Sequence, residues 1–354
     1  MYFLTNFQEW LLLVEKKNFM KTLLKYTPDL DQLSPTENID LAKAMTSVEK
    51  FIKSSSKISD VKYATRDAHS KTYATAKGVL KISDNLPPFI TEVFQEKEYE
   101  LLARFSNANL VINKKGRDAP LYGFSLKIKN MKGQDANFPL VNFPLFPTNS
   151  PSVFLNFFRS VNTFLVTKQD NFLVSVLDLP SLIKNGLSLF SNMLSVDVIK
   201  KIVQFIPKRN NFFFSFNYDG IGCYRLGDHV MKIGLKPVRN LANIGKDEPQ
   251  KDSIAEFISL QDSTFILTIK MCENQKDQPV NDLMKTWVNA PEYTLGKITI
   301  PQDSQLDSTN PEIENLNFNP FENPEILQPV GKIQQIRKKI YEVSIATRNK
   351  LNGQ

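Results

Sequence analysis

Histidine is scarce. The 354-residue chain holds two, His69 and His229. Imidazole is the side chain whose ordinary pKa lies near neutrality, so a mechanism built on a near-neutral base must use one of these or turn to carboxylates. Cysteine is equally scarce: Cys223 and Cys272 show neither metal-ligand spacing nor a disulfide framework, which fits a reducing compartment. No stretch reaches the roughly 18 uninterrupted apolar residues of a membrane span. The first residues meet Glu9 and Glu15 early and lack a basic leader, a clean apolar core and a small-residue cleavage site. There is no basic tail and no long Lys/Arg block. The net charge of +7, from 44 basic and 37 acidic residues, is mild and argues against a nucleic-acid partner. A soluble, cytoplasmic protein without a transmembrane segment is expected.

Hydrophobic residues make up 42% of the chain, enough to build a sizeable core. Residues 1–57 read as a helical segment: Trp10 to Val14 and Leu23-Leu24 are spaced like helical faces. Ser34-Pro35-Thr36-Glu37 is a helix start, and Ser54-Ser55-Ser56 reads as a loop. From residue 58 onward short apolar runs punctuated by Gly, Asp, Asn and Pro predict strands at 73–82, 101–112, 121–128 and 138–146. Residues 151–207 return to helix-length segments. Strands are expected again at 212–216, 230–235, 254–271 and 294–300, and a basic helix at 330–350. The pattern predicts an α+β protein on a largely antiparallel sheet or barrel.

Few residues point to chemistry by themselves. His69 lies in Arg66-Asp67-Ala68-His69-Ser70-Lys71, just before a strand, and alone reads as a loop or capping histidine. Arg337 and Tyr341 are four apart and share one helix face. A phenol with a pKa near ~10 is a poor anionic ligand, but a neighbouring cation or a metal favours the phenolate. Without context, the same pattern is an ordinary amphipathic tyrosine. His229 reads as structural. The apolar 172–194 region reads as packing around a pocket, with an access path for lipid substrates as the other reading.

Six segments in order give these residues a context. Arg66-x-x-His69-x-Lys71, Ala103-Arg104-Phe105-Ser106, Ala119 to Lys127, Val141-Asn142-Phe143-Pro144-Leu145-Phe146, Asn315 to Phe321, and Pro329 to Tyr341 resemble the motifs of the catalase-like haem proteins, in particular their small peroxidase-related branch. The resemblance runs from about residue 60 to 350. It implies a catalase-like antiparallel β-barrel with surrounding helices over residues 58–354, on which the 1–57 segment packs. It also implies haem b as cofactor. Tyr341 is then the iron ligand with Arg337 beside its oxygen, and His69 and Asn142 face the substrate. Ser106 orients His69, while Arg66 and Arg104 meet the haem carboxylates.

The implied activity is peroxidase- or catalase-like cleavage of hydrogen peroxide or organic hydroperoxides with an electron donor. Fatty-acid hydroperoxide rearrangement and non-catalytic haem binding are the alternatives. Ala68, where the rearranging branch often carries Thr, favours peroxide reduction, and retention of His69 and Asn142 argues against a mere carrier. Homo-oligomerisation is left open. The chain departs from the pattern in three ways: Tyr122 stands where the motif has Arg, Thr72 follows Lys71 where Gly is usual, and the chain is much shorter than a full catalase. The first implies a lost cofactor contact or strand bridge, the second a different local backbone, and the short chain weighs against efficient catalase turnover and an interlocked tetramer.

Overall fold

The structure is a computed structural model and describes residues 23–113, 118–244, 249–307 and 310–353. The apolar Trp10–Val14 segment lies outside the described residues. The strand signals fold as β1 (Thr72–Ile82), β2 (Glu98–Asn107), β3 (Tyr122–Met131), β4 (Gln134–Val141), β5 (Tyr218–Gly220), β6 (Cys223–Leu226), β7 (His229–Pro237), β8 (Ser263–Met271), β9 (Glu292–Ile300) and the two-residue β10 (Pro329–Val330). Pairing is antiparallel and runs β7-β5-β4-β3-β2-β1-β9-β8, and a β8–β7 pairing closes an eight-stranded barrel. Strands β6 and β10 extend the sheet beyond β7. Closure removes the open sheet edges on which other chains could pair.

Phenylalanine fills the barrel. Phe105, Phe124, Phe213, Phe214 and Phe265 are fully buried, with ring centroids 5.0 Å apart for Phe105–Phe214 and 5.1 Å for Phe124–Phe265. The run at 212–216, expected to be a strand, is instead a 3-10 turn over Phe213–Ser215 that delivers these rings to the interior. A short apolar run does not distinguish the two by periodicity. The 254–271 segment is likewise split, into a helix over Gln250–Leu260 followed by β8.

The main helices are α1 (Pro35–Ile58), α2 (Pro151–Asp170), α3 (Leu179–Asn192), α4 (Val196–Phe205), α5 (Gln250–Leu260) and α6 (Lys332–Asn352). Helix α1 begins as expected. The Ser34 hydroxyl accepts from the Glu37 amide, and the Glu37 carboxylate accepts from the Ser34 amide, satisfying two orphan donors. It does not end at Ser54-Ser55-Ser56. Ser55 remains helical, its hydroxyl donating to the Ile52 carbonyl at 2.7 Å and accepting from the Thr65 amide at 2.8 Å, so its polarity is met inside the helix. Val48, Phe51 and Ile52 of α1 pack with Phe158 and Leu165 of α2 and Ile340 of α6.

The 172–194 region does not pack around a pocket. Phe172, Leu173, Leu177, Ile183, Leu187 and Phe190 are all exposed. The stretch Phe172–Asn192 is also long and apolar enough to cross a membrane, by length and composition alone. The sequence expectation rested on uninterrupted apolar residues, and Asp178, Pro180 and Lys184 interrupt this run.

Candidate functional site

Strands β2, β3 and β4 present one wall of the barrel to α6, and a cavity of about 820 Å³, its open mouth included, lies between them. Its walls bring together Arg66, His69, Arg104, Arg337 and Tyr341. Five of the seven residues singled out from sequence therefore share one cavity. Ser106 stands behind His69.

His69 adopts a left-handed backbone (φ +50°), uncommon for a residue with a side chain and a mark of local strain at functional sites. The strain is held by neighbours: the His69 carbonyl accepts from Arg104 Nη2 at 2.7 Å, and its Nδ1 lies 3.3 Å from Ser106 Oγ. Ser106 pairs with Gly123 across the β2–β3 ladder. A Cβ on Gly123 would sit 2.6 Å from His69 Nδ1 and 2.7 Å from Ser106 Oγ, so this position has room for glycine only. The Gly123→Ala substitution is expected to unseat His69 and to lower the melting temperature, at an overpacking cost of ~1–3 kcal/mol. A thermal melt checks this, and a midpoint equal to the parent's would contradict the packing described.

Ser106 Oγ is also 3.3 Å from the Gly123 carbonyl. Its single hydrogen, given to that carbonyl, leaves the oxygen to accept from His69 Nδ1–H, and Nε2 then keeps its lone pair. Burial, reinforced by the Arg104 and Arg337 charges, pushes the imidazole down to about 3. His69 is thus a neutral base at physiological pH.

The cavity carries an excess of cations. Arg66 is neutralised by Glu314, at 2.6 Å, and also donates to the carbonyls of Glu314 and Leu316. Arg104 is buried and finds only neutral acceptors, the His69 carbonyl and Thr72 Oγ1. Burial and the charge of Arg66 push it down to about 9. Thr72, the departure noted in the sequence, thus anchors Arg104 and donates in turn to Glu314. Arg348 is buried too, its Nε has no partner, and burial with Arg66 pushes it down to about 10. Guanidinium groups do not lose their charge in practice, so these directions record an unmet demand for an anion. Asp67 and Glu314 offset part of this at Arg348, although burial raises the Asp67 pKa and Ser344 donates to one of its oxygens at 2.6 Å.

On the opposite wall, the Arg337 guanidinium lies 5.8 Å from the Tyr341 ring centroid and donates to the Ile221 carbonyl and to Gln334. Burial opposes its charge, but Tyr341 and Tyr224 outweigh this and hold it raised. Phe321 packs edge-on against Tyr341 at 5.8 Å. Arg337, Tyr341, Ser344, Ile345 and Arg348 form one stripe of α6 facing the cavity.

Asn142 is placed differently. It follows the end of β4, where its Oδ1 accepts from the Tyr122 amide at 2.8 Å and its Nδ2 donates to the Pro120 carbonyl at 3.1 Å. The neighbouring Val141 borders the cavity and Asn142 does not. Two cavity residues escaped the sequence reading. Arg348 carried a usable signal, lying seven residues beyond Tyr341 on the same helical face. Gly123 lies in the quoted Ala119 to Lys127 segment, but its contact with His69 depends on a cross-strand neighbour.

No known family model matches the chain, and no curated protein is similar to it in sequence. Solved structures do match. A fungal catalase and catalase A from Saccharomyces cerevisiae each superpose with a TM-score of 0.56 at 18% identity over 81% of this chain. A bacterial catalase does so with a TM-score of 0.52 at 13% identity over 80%. The fold is that of the catalases. The matches cover 60%, 63% and 57% of those three chains, so this chain spans less than two thirds of their length. At these identities the likeness speaks for the fold alone.

The cavity fits a flat cofactor bearing carboxylates. It offers a phenol flanked by a guanidinium on α6, a neutral imidazole on the barrel side, and buried arginines lacking an anion. Arg104 and Arg348 suit carboxylates, and Tyr341 and His69 are the two side chains of the set able to coordinate iron.

Proposed function

We propose that the chain holds haem b on Tyr341 and reduces hydrogen peroxide or organic hydroperoxides with an electron donor. The observation that carries this reading is the pairing of an anion-deficient arginine set with a neutral, serine-oriented His69 in one cavity. Bound haem would supply the iron and the electrons for cleaving the O–O bond. Arg337 stands beside Tyr341. Arg104 and Arg348, with Arg66 behind them, would take the haem carboxylates. His69 Nε2 would accept the proton of the inner peroxide oxygen and return it to the leaving oxygen. The Asn142 amide spends one N–H on Pro120. Asn142 also lies outside the cavity lining, which makes it the lesser contributor.

An arginine that waits for an anion costs stability until the anion arrives. The Arg348→Met variant is therefore expected to melt higher than the parent without haem, by the equivalent of ~1–4 kcal/mol, because an apolar replacement of a buried unmatched charge is neutral to stabilising. The same variant is expected to retain haem less well. Melts and haem titrations of both proteins check the two signs, and a variant that melts lower without haem would contradict the assignment.

The activity is tested on haem-loaded protein by comparing three rates: oxygen release from hydrogen peroxide alone, oxidation of an added phenolic donor, and donor-free conversion of a fatty-acid hydroperoxide. Donor oxidation is expected to dominate, because a short chain builds less of a restrictive channel and admits bulky donors. Donor-free rearrangement as the fastest reaction would replace the reading with lipid hydroperoxide chemistry, and vigorous oxygen release would make it a true catalase.

A further inference from the structure

Of the 20 large hydrophobic side chains exposed among the described residues, 13 fall between positions 172 and 206. Scattered exposed apolar residues need no explanation, but a concentration of them marks an interaction surface. Helix α3 is turned against the rule for soluble helices. Its apolar stripe Ile183, Leu187 and Phe190, continued by Leu194, faces solvent, with Leu187 at 64% and Phe190 at 61% exposure. Its half-buried side carries Asn185 and Asn192 beside Leu182 and Leu189. Asn185 Nδ2 donates to Ser160 Oγ of α2 at 2.7 Å, Ser181 Oγ lies 3.3 Å from the same Ser160, and Asn192 Oδ1 accepts from Thr148. A soluble helix hides its apolar stripe. Here hydrogen bonds to α2 fix the opposite orientation.

Helix α4 continues the surface. Val198 is buried with Leu145, and Ile202 packs on that pair. Val196 and Val203, on its outer side, are 80% and 63% exposed. Between residues 171 and 211 the chain carries Lys184, Lys200, Lys201, Lys208 and Arg209 against Asp178 and Asp197. No ion pair engages any of these five cations among the described residues, and Asp197 accepts from the Thr286 amide. The patch is aliphatic with Phe and holds neither Trp nor Tyr. Protein interfaces are enriched in Tyr, Trp and Arg and depleted in Lys. An apolar face rimmed by lysine is instead the composition of a helix lying in the headgroup region of an anionic bilayer.

We infer that α3 and α4, with the Phe172–Leu177 turn, form a docking face that seats the protein on an anionic lipid bilayer, in the plane of the surface. An in-plane seat follows from the attachment of α3 along α2, because a span would have to tear Asn185 and Ser181 from Ser160. The apolar stripe supplies the depth of insertion and the lysines the preference for anionic lipid. This inference does not rest on the cofactor: none of these residues borders the haem cavity.

The test is flotation of the full-length protein with vesicles of phosphatidylcholine alone and with phosphatidylserine added. Binding is expected to the serine-containing vesicles and to weaken in high salt. The Lys200→Gln and Lys208→Gln variants are each expected to lose about fivefold in partitioning, and Leu187→Asp/Phe190→Asp together at least ~100-fold. Both apolar positions are exposed, so the parent's melting temperature should persist in that variant. Absence of flotation with either vesicle would overturn the inference. So would a concentration-dependent dimer that the Leu187→Asp/Phe190→Asp variant disperses while the parent ignores vesicles, because the face would then belong to a second copy.

Discussion

The Tyr341→Phe variant is expected to fold as the parent does and to lose stable haem binding. The ring is held by Phe321 and by the Arg337 stack. Removing one oxygen therefore leaves the packing of α6 in place. It does remove the only phenol on the cavity wall among the described residues. Haem titration followed by size exclusion measures this. Full occupancy with an unchanged spectrum in the variant would put the ligand elsewhere.

The second large effect is expected at His69. The His69→Ala variant should keep haem, which the arginines and Tyr341 hold, and lose roughly 10²–10⁴ in its rate with hydrogen peroxide, the usual worth of a positioned acid–base group. Asn142→Ala should cost less. The sign of the pH dependence follows from burial. An unfolded histidine titrates near ~6.5, whereas His69 in the fold is pushed down to about 3. The folded state thus binds fewer protons between these values. Stability tied to neutral His69 is present above the unfolded pKa and is lost as pH falls from there toward 3. The parent rate should accordingly hold between pH 7.5 and 5, where a solvent-exposed histidine would already be protonating. A rate that halves near pH 6.5, or a His69→Ala variant as fast as the parent, would remove His69 from the reaction.

Much of the fold was legible from residue pattern, and the failures have physical causes. Strands β1, β3, β7 and β9 appeared where expected, because each is a run of β-forming residues bounded by turn formers. The capping box at Ser34 named the start of α1. The serine triplet at 54–56 misled, because serine breaks a helix only when its hydroxyl lacks a helical partner, and Ser55 has one in Ile52. Strands β5 and β6, three and four residues long, are too short to show a period. Helix α3 was legible as a helix-length apolar segment, but its sequence does not say which side faces inward. That choice was made by Ser160 of a different helix.

The site was legible in part for a related reason. Arg66, His69, Arg104, Ser106, Arg337 and Tyr341 belong to segments whose resemblance to haem proteins could be quoted, and the structure gathers them around one cavity. Arg348 lay outside those segments, although helical spacing from Tyr341 reached it. The hydrogen bonds of Asn142 to the 120–122 turn depend on a contact between distant parts of the chain. No local pattern encodes them.

The central claim, a haem held by Tyr341, is tested most directly by the absorption spectrum of the purified protein after addition of ferric haem. The account predicts a Soret band that co-elutes with the protein, with the charge-transfer features of a tyrosinate-ligated ferric haem. Absence of a Soret band, or the spectrum of a histidine- or cysteine-ligated haem, would contradict it.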